Sequence, residues 1–252
     1  MPGYGAFAKY YDALTQNISY TQRAVYFDSL IKKYTSSAVV LADLACGTGS
    51  LSFAFAHLGY DVIGVELSED MLAEAMQKKM LETELPIQNP MFICQDLAEL
   101  ELYGEVDAAV CALDSINHMI EPEKVEAMFQ KVGKYVRTGG VFIFDVNTVY
   151  KHQNILANNT FVYDCEEVYC VWQNRLLDDL LVELELDFFV YDQENDCYYR
   201  ESELFCERAY THDFISALLK KNRFELLAVY DDDSQNALHA QSQRAVYVAR
   251  KL

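Results

Sequence analysis

Two textures of apolar and polar positions divide the chain. From residue 38 to about residue 148, short apolar runs alternate with longer amphipathic stretches. Ala38 to Ala45 is apolar and mostly branched, as in a strand buried on both faces, and Gly47 to Gly59 follows as a loop and helix closed by a glycine. Asp61 to Glu66 reads as a second strand, Ser68-Glu69-Asp70 opens a helix to about Glu84, and Met91 to Gln95 is a third strand. Val106 to Ala112, a helix over Pro122 to Val136, a Thr138-Gly139-Gly140 turn and Val141 to Val146 complete the run. Such alternation predicts parallel strands joined by right-handed crossovers.

Between residues 149 and 210 the helical period vanishes. Thr160 to Trp172, Leu180 to Tyr191 and Cys197 to Tyr210 are rich in β-branched and aromatic residues, with a turn signal at Asp192 to Asp196. This predicts an inserted antiparallel meander that either roofs an acceptor pocket or forms a dimer surface. The first pattern then resumes with a helix over Thr211 to Asn222 and a strand over Phe224 to Tyr230. A last strand, Arg244 to Arg250, is reached by a loop too short for a crossover helix, so it must run antiparallel. The expected division is a helical cap over residues 1–36, an α/β core over 37–148 and 211–252, and a substrate-side subdomain over 149–210.

Composition narrows the reading in three respects. At 252 residues, one large core with an insertion suffices. The 39 acidic against 20 basic residues give a net charge of −19, which repels phosphate backbones and anionic bilayers, so neither direct nucleic-acid binding nor membrane binding is expected. Seven cysteines without CxxC pairs point to a reducing compartment. With no signal-peptide pattern and no apolar run near the ~18 residues of a span, a cytoplasmic protein is expected.

The first strand hands over to its helix through Asp43-Leu44-Ala45-Cys46-Gly47-Thr48-Gly49. Glycines there permit a tight turn and aim backbone N–H groups at a ligand, which suits the carboxylate tail of S-adenosylmethionine (SAM) or a phosphate. Position 52 is Ser, so the third glycine of a dinucleotide fingerprint is missing, and Ser50-Leu51 excludes a P-loop. Glu66 ends the second strand where it can accept hydrogen bonds from a ribose diol. Asp96 follows the third strand where it can accept from an adenine amine, with Leu97 and Met71 on either side of the ring. SAM, released as S-adenosylhomocysteine, is the cofactor these features favour.

The stretches LADLACGTGS, VIGVELSEDML, QDLAEL, VDAAVCALDSINHM and GGVFIFDVNT together resemble class I SAM-dependent methyltransferases. The Asp-Ser-Ile-Asn motif and Tyr10-Tyr11-Asp12 narrow the resemblance to a small-molecule subgroup. It implies a doubly wound, Rossmann-like seven-stranded sheet of order 3-2-1-4-5-7-6 with the last strand antiparallel. The expected cofactor set is Asp43, Ala45, Cys46, Gly47, Gly49, Glu66, Leu67, Met71, Asp96, Leu97 and Leu113. Family loops usually carry another glycine where Ala45 stands. The family's motif for methylating nucleic-acid amines would place Pro-Pro-aromatic in the Leu113-Asp114-Ser115-Ile116 stretch, and it is not there.

Methyl transfer from a sulfonium needs alignment and, for some acceptors, a base. His118 is the candidate base, although a histidine capping the next element would look the same. Asp114, Asn117, Tyr11 and Tyr20 are candidates for the substrate side. The aromatic N-terminal segment, with Tyr4, Phe7, Tyr10, Tyr11 and Tyr20, either packs on the core or closes over the cofactor. Asp145 and Asn147 have no third ligand, so no metal is expected, and Asp231-Asp232-Asp233 reads as a solvated turn. The expected activity is methylation of a small-molecule acceptor by a possible homodimer; the alternative is a non-catalytic SAM-binding or scaffold protein.

Overall fold

A computed structural model describes residues 5–35, 37–86, 88–166 and 168–252; Tyr4 lies outside them. Two helices lead, α1 (Gly5–Leu14) and α2 (Tyr20–Tyr34), the second capped by the Ser19 hydroxyl, which accepts from the Gln22 amide. The α/β run is β1 (Val40–Leu44), α3 (Ser50–His57), β2 (Asp61–Glu66), α4 (Glu69–Leu81), β3 (Met91–Cys94), β4 (Val106–Cys111), α5 (Pro122–Tyr135) and β5 (Val136–Asn147). A single turn, α6 (Val149–Lys151), runs into a π-helical turn at His152–Leu156. Then come β6 (Thr160–Asp164), β7 (Val168–Asp178), β8 (Leu181–Asp192), β9 (Cys197–Arg208), α7 (His212–Lys221), β10 (Phe224–Asp231) and β11 (Arg244–Lys251).

The large sheet has the order β3-β2-β1-β4-β5-β11-β10, with β11 antiparallel to both neighbours. In core-strand numbering this is the expected 3-2-1-4-5-7-6. The strands of the large sheet lie between two helical layers. Phe27 and Leu30 of α2 and Phe55 of α3 cover one face, and Phe129 of α5 and Ile215 of α7 the other. Along β11, Ala245, Tyr247 and Ala249 face one layer while Val246 and Val248 face the other, the period-two alternation that hides both faces.

Three expectations change. The Thr138-Gly139-Gly140 turn is an irregularity inside β5: the register with β4 shifts after Val106↔Val136, Gly139 takes φ +78°, and a Cβ on Gly140 would lie 2.6 Å from the Asp107 carbonyl. The helix expected to reach Glu84 ends at Leu81, with Pro86 close behind. The meander has four strands, not three, because the stretch from Thr160 folds back at Cys165, whose amide donates to the Val168 carbonyl. Its sheet, β6-β7-β8-β9, packs Val182, Leu184, Leu186 and Phe188 around Tyr10 of α1.

Candidate functional site

The order of the large sheet reverses between β1 and β4, and the loops leaving their carboxyl ends form a crevice, where open α/β sheets bind ligands. Three residues of the first loop have left-handed backbone: Ala45 (φ +56°), Gly47 (+56°) and Gly49 (+77°). The two glycines do different things. A Cβ on Gly47 would meet nothing within 4 Å, leaving room for a ligand, whereas one on Gly49 would lie 2.8 Å from the Phe92 ring and 3.1 Å from Ala75. Gly49 is therefore required by packing of the loop on β3 and α4, and it does not line the cavity.

That cavity, about 200 Å³, is lined by Ala45, Gly47, Glu66, Leu67, Met71, Asp96, Leu97 and Leu113, together with Tyr11 and His118. A recess of about 30 Å³ continues from it between Asp43, Cys46, Tyr11 and Tyr20. Glu66 is more occupied than expected: Oε2 accepts from Gly47 N–H at 3.0 Å, and Oε1 from Leu67 and Ser68 N–H at 2.9 Å each. A carboxylate offers about four lone-pair sites, so one remains for a hydroxyl where two were expected. Asp96 caps the short turn Leu97–Glu99, accepting from Ala98 N–H at 2.9 Å. Burial pushes the Asp43 carboxyl up to about 7, against the opposing effect of the Ser52 hydroxyl that donates to it at 2.5 Å.

The sequence reading missed the latch over this loop. Asp12 of α1 accepts from the Thr48 hydroxyl at 2.8 Å and pairs with Lys78 of α4 at 2.5 Å. The Lys78 ammonium also donates to the Thr48 and Ser50 hydroxyls, both at 2.8 Å. Phe7 and Tyr11, from the same helix, line the cavity. Tyr20 lines only the recess and its hydroxyl shares a hydrogen bond with Thr15 at 3.0 Å.

After β4 the chain makes a second strained turn, with Leu113 at φ +59° and Asp114 at φ +52°. Asp145 of β5, fully buried, holds it by accepting from both amides, at 2.9 and 2.7 Å. Arg23 of α2 and Arg244 of β11 neutralise Asp145, at 3.2 and 2.5 Å. Asp231-Asp232-Asp233 is thereby more than a solvated turn: Asp233 lies 2.9 Å from Arg23, and Asp232 3.7 Å from Arg244. Asp114 itself pairs with Arg244 at 2.7 Å and accepts from Asn147 at 2.8 Å. Burial would raise its carboxyl, but the charges of Arg244, Lys151 and His118 outweigh that and hold it well below the usual range.

Asn117 must be removed from the substrate side. It is fully buried, donating to the Arg208 carbonyl at 2.8 Å and the Asn147 carbonyl at 3.3 Å and accepting from Asn147 N–H at 2.9 Å. It fastens β5 to β9. His118 lies where the cofactor cavity meets a second one of about 390 Å³, walled on its far side by Phe161, Tyr163, Trp172 and Phe205 of the meander. Glu207 of β9, unnoticed in the sequence, lines the second cavity with Oε1 3.6 Å from His118 Nε2. Asp114, His118 and Glu207 bring one donor atom each within 4.8 Å of one another. Arg244 and Asn147 already occupy the Asp114 oxygens, and Lys151 lines the same cavity, so the set is poorly suited to a further cation.

Comparison with known proteins agrees with this geometry. A methyltransferase-domain family model matches residues 41–140. The Bacillus subtilis (strain 168) protein named "Putative methyltransferase YqeM" is 31% identical over 250 residues, which is 98% of this chain and 97% of its own. The solved S-adenosylmethionine-dependent methyltransferase from Clostridium acetobutylicum ATCC 824 is 32% identical, with a TM-score of 0.86 over 98% of both chains. The chain belongs to the class I SAM-dependent methyltransferases. SAM is the cofactor of this methyltransferase, and the open side of Gly47, facing a cavity edged by two carboxylates and lined by Met71 and Leu97, fits it. A more distant relative, the Streptomyces fradiae dTDP-3-amino-3,6-dideoxy-alpha-D-glucopyranose N,N-dimethyltransferase, is 28% identical over 145 residues, 56% of this chain and 53% of its own. No helix among the described residues is long and apolar enough to cross a membrane.

Proposed function

We propose that this methyltransferase acts on a small-molecule acceptor held between the β4 turn and the meander, with His118 as the base. One observation carries the reading: the cofactor cavity and the larger second cavity meet at Tyr11, Leu113 and His118, so a donor in one and an acceptor in the other would face each other there. Bound SAM supplies an electrophilic methyl carbon on a sulfonium. In this reading the last acceptor site of Glu66 takes a ribose hydroxyl, and Asp96 takes the adenine amine. Leu67, Met71 and Leu97 enclose the ring, while Gly47, Cys46 and the Asp43 recess receive the methionine end. The aromatic far wall excludes water and holds the acceptor in line, and such alignment supplies about 7 to 11 kcal/mol of the rate enhancement. The relative that modifies an amino sugar supports a small acceptor. The non-catalytic alternative is disfavoured by a walled cavity of this size beside a histidine.

Calorimetry with SAM, S-adenosylhomocysteine and NAD tests the cofactor side, and NAD binding without SAM binding would overturn it. Glu66→Ala should weaken SAM by about 1 to 3 kcal/mol through the lost charged hydrogen bond to the ribose and the release of the Gly47, Leu67 and Ser68 amides it holds. A panel of amino sugars, hydroxyaromatics and small amines, read by S-adenosylhomocysteine release, tests the acceptor side. Turnover with one class, lost in His118→Asn while SAM affinity persists, is the expected result.

A further inference from the structure

Methylation of a hydroxyl or an amine releases a proton, and the residues behind His118 are arranged to receive one. Glu207 is 2% exposed and stands between two imidazoles: Oε1 lies 3.6 Å from His118 Nε2, and Oε2 lies 3.8 Å from His152 Nε2. His152 is wholly buried, and its Nδ1 lies 3.3 Å from the Thr148 carbonyl. A carbonyl only accepts, so Nδ1 carries the hydrogen and a neutral His152 presents a bare lone pair at Nε2. That atom has no hydrogen-bond partner among the described residues. Nε2 lies 3.8 Å from Glu207 Oε2, so two acceptor atoms are close together with no hydrogen between them, and a proton added to either relieves their repulsion. The geometry comes from the π-helical turn that His152 begins, a local irregularity that recurs at functional sites.

We propose that Glu207 and His152 form a buried proton acceptor behind His118, so that the proton lost by the acceptor comes to rest within the protein. This rests on the reading of His118 as the base. The acceptor's lone pair bonds to the methyl carbon while the carbon–sulfur bond breaks and leaves its electron pair on sulfur. The acceptor's proton moves to His118 Nε2; once the methylated product has left that nitrogen the proton passes to Glu207 Oε1, 3.6 Å away, and Glu207 holds it with His152 Nε2 3.8 Å from Oε2. Atoms and charges balance without another reactant. The acceptor class is therefore protic, a hydroxyl or an amine that still carries hydrogen.

The charges facing the pair suit this role. Asp114 and His118 face it from the β4 turn, Lys151 from α6, and Arg244 of β11 is bound to Asp114. Asn147 ties the set together, donating to Glu207 Oε2 at 3.2 Å and accepting from Lys151 at 2.8 Å. Arg244 also serves Asp145 and Asp232, so the two cations do not cancel the carboxylates around the empty store, which favours an added proton. Burial pushes the Glu207 carboxyl up, which makes it a better resting place for the proton, and pushes His152 down to about 4, which keeps the imidazole neutral beside it.

With five histidines in the chain, ring ¹⁵N resonances can be assigned one by one and titrated in the SAM complex. In the wild type the His152 signal should move in a step coupled to Glu207, with His57, exposed at the end of α3, as the control. Glu207→Gln should shift the His152 midpoint by about tenfold in proton concentration and remove that coupling, because the carboxylate beside Nε2 is gone. A His152 signal indifferent to Glu207→Gln overturns the proposal. Glu207→Met, which removes the same charge, replaces it if the glutamine variant fails to fold. With an acceptor from the panel, His152→Gln should shift the acidic limb of the pH–rate profile at unchanged SAM affinity, and an unmoved limb also overturns it. Absence of turnover by the wild type with every probe, beside intact coupling, would instead count against the acceptor reading.

Discussion

Asp43 is a carboxyl whose environment works against its charge. Its ordinary value is 3.8, and burial pushes it up to about 7. Below pH 4 both the folded and unfolded chains carry the proton and nothing is lost. As pH rises from about 4 to about 7 the unfolded chain releases its proton first, so folded stability falls, by about 4 kcal/mol in full. His152 has the opposite dependence. Its value is depressed from 6.5 to about 4, so its contribution is complete above pH 6.5 and declines as pH falls toward 4, by about 3 kcal/mol. The two nearly cancel in the wild type between pH 4 and 6.5. Asp43→Asn should therefore stabilise the SAM-free protein by a few kcal/mol at pH 8 and unmask a loss of stability on acidification. Urea unfolding across that range measures both, and equal stability at pH 8 would contradict the burial argument.

At the scale of elements, the loop after β1 depends on two glycines for separate reasons. Gly47→Ala meets no atom and should cost about 1 to 2 kcal/mol of left-handed strain, with its larger effect on SAM affinity. Gly49→Ala adds a clash with Phe92 and should cost more stability than Gly47→Ala, about 2 to 3 kcal/mol. Parallel thermal unfolding and SAM titration of the two variants would show the opposite orders. The α1 latch is weaker. Lys78 and Asp12 have side chains 30% and 43% exposed, so their pair is worth at most about 1 kcal/mol. Lys78→Ala should accordingly raise amide exchange across residues 5–14 by a few-fold while leaving the exchange of β1 and β4 unchanged.

In the whole molecule Asn117 is one of the polar links between the two sheets, bonded to both β5 and β9. Removing its side chain leaves the buried Asn147 N–H without a partner, at about 1 to 3 kcal/mol, and frees the half-buried Arg208 carbonyl. Asn117→Ala should destabilise the protein by a few kcal/mol and loosen β9 against β5, which would carry Glu207 away from His118. Differential scanning calorimetry measures the first effect, and exchange of the β9 amides the second; near-wild-type values for both would return Asn117 to the list of acceptor contacts. The net charge of −19 acts at this scale too, favouring cations near the molecule without selecting a site.

The sequence alone determined the parts governed by local periodicity and turn chemistry. The strand–helix alternation, the strand order through the family resemblance, and the positions of Gly47, Glu66, Asp96 and Leu97 just past or at strand ends, with Met71 in the first turn of the following helix, were all legible, because a strand end is a local signal and α/β topology sends those ends to one crevice. Tertiary structure decided the rest. Glu207 lies 89 residues from His118 on a strand whose alternation gives no hint of a buried acid, and only packing of the two sheets brings them together. Asp12 and Lys78 meet because α1 crosses α4, Asn117 turned inward because β5 and β9 offered unpaired backbone groups, and His152 was left facing Glu207 by a π-helical turn. Contacts formed between elements distant in sequence depend on the closed fold, and a one-dimensional pattern does not record them.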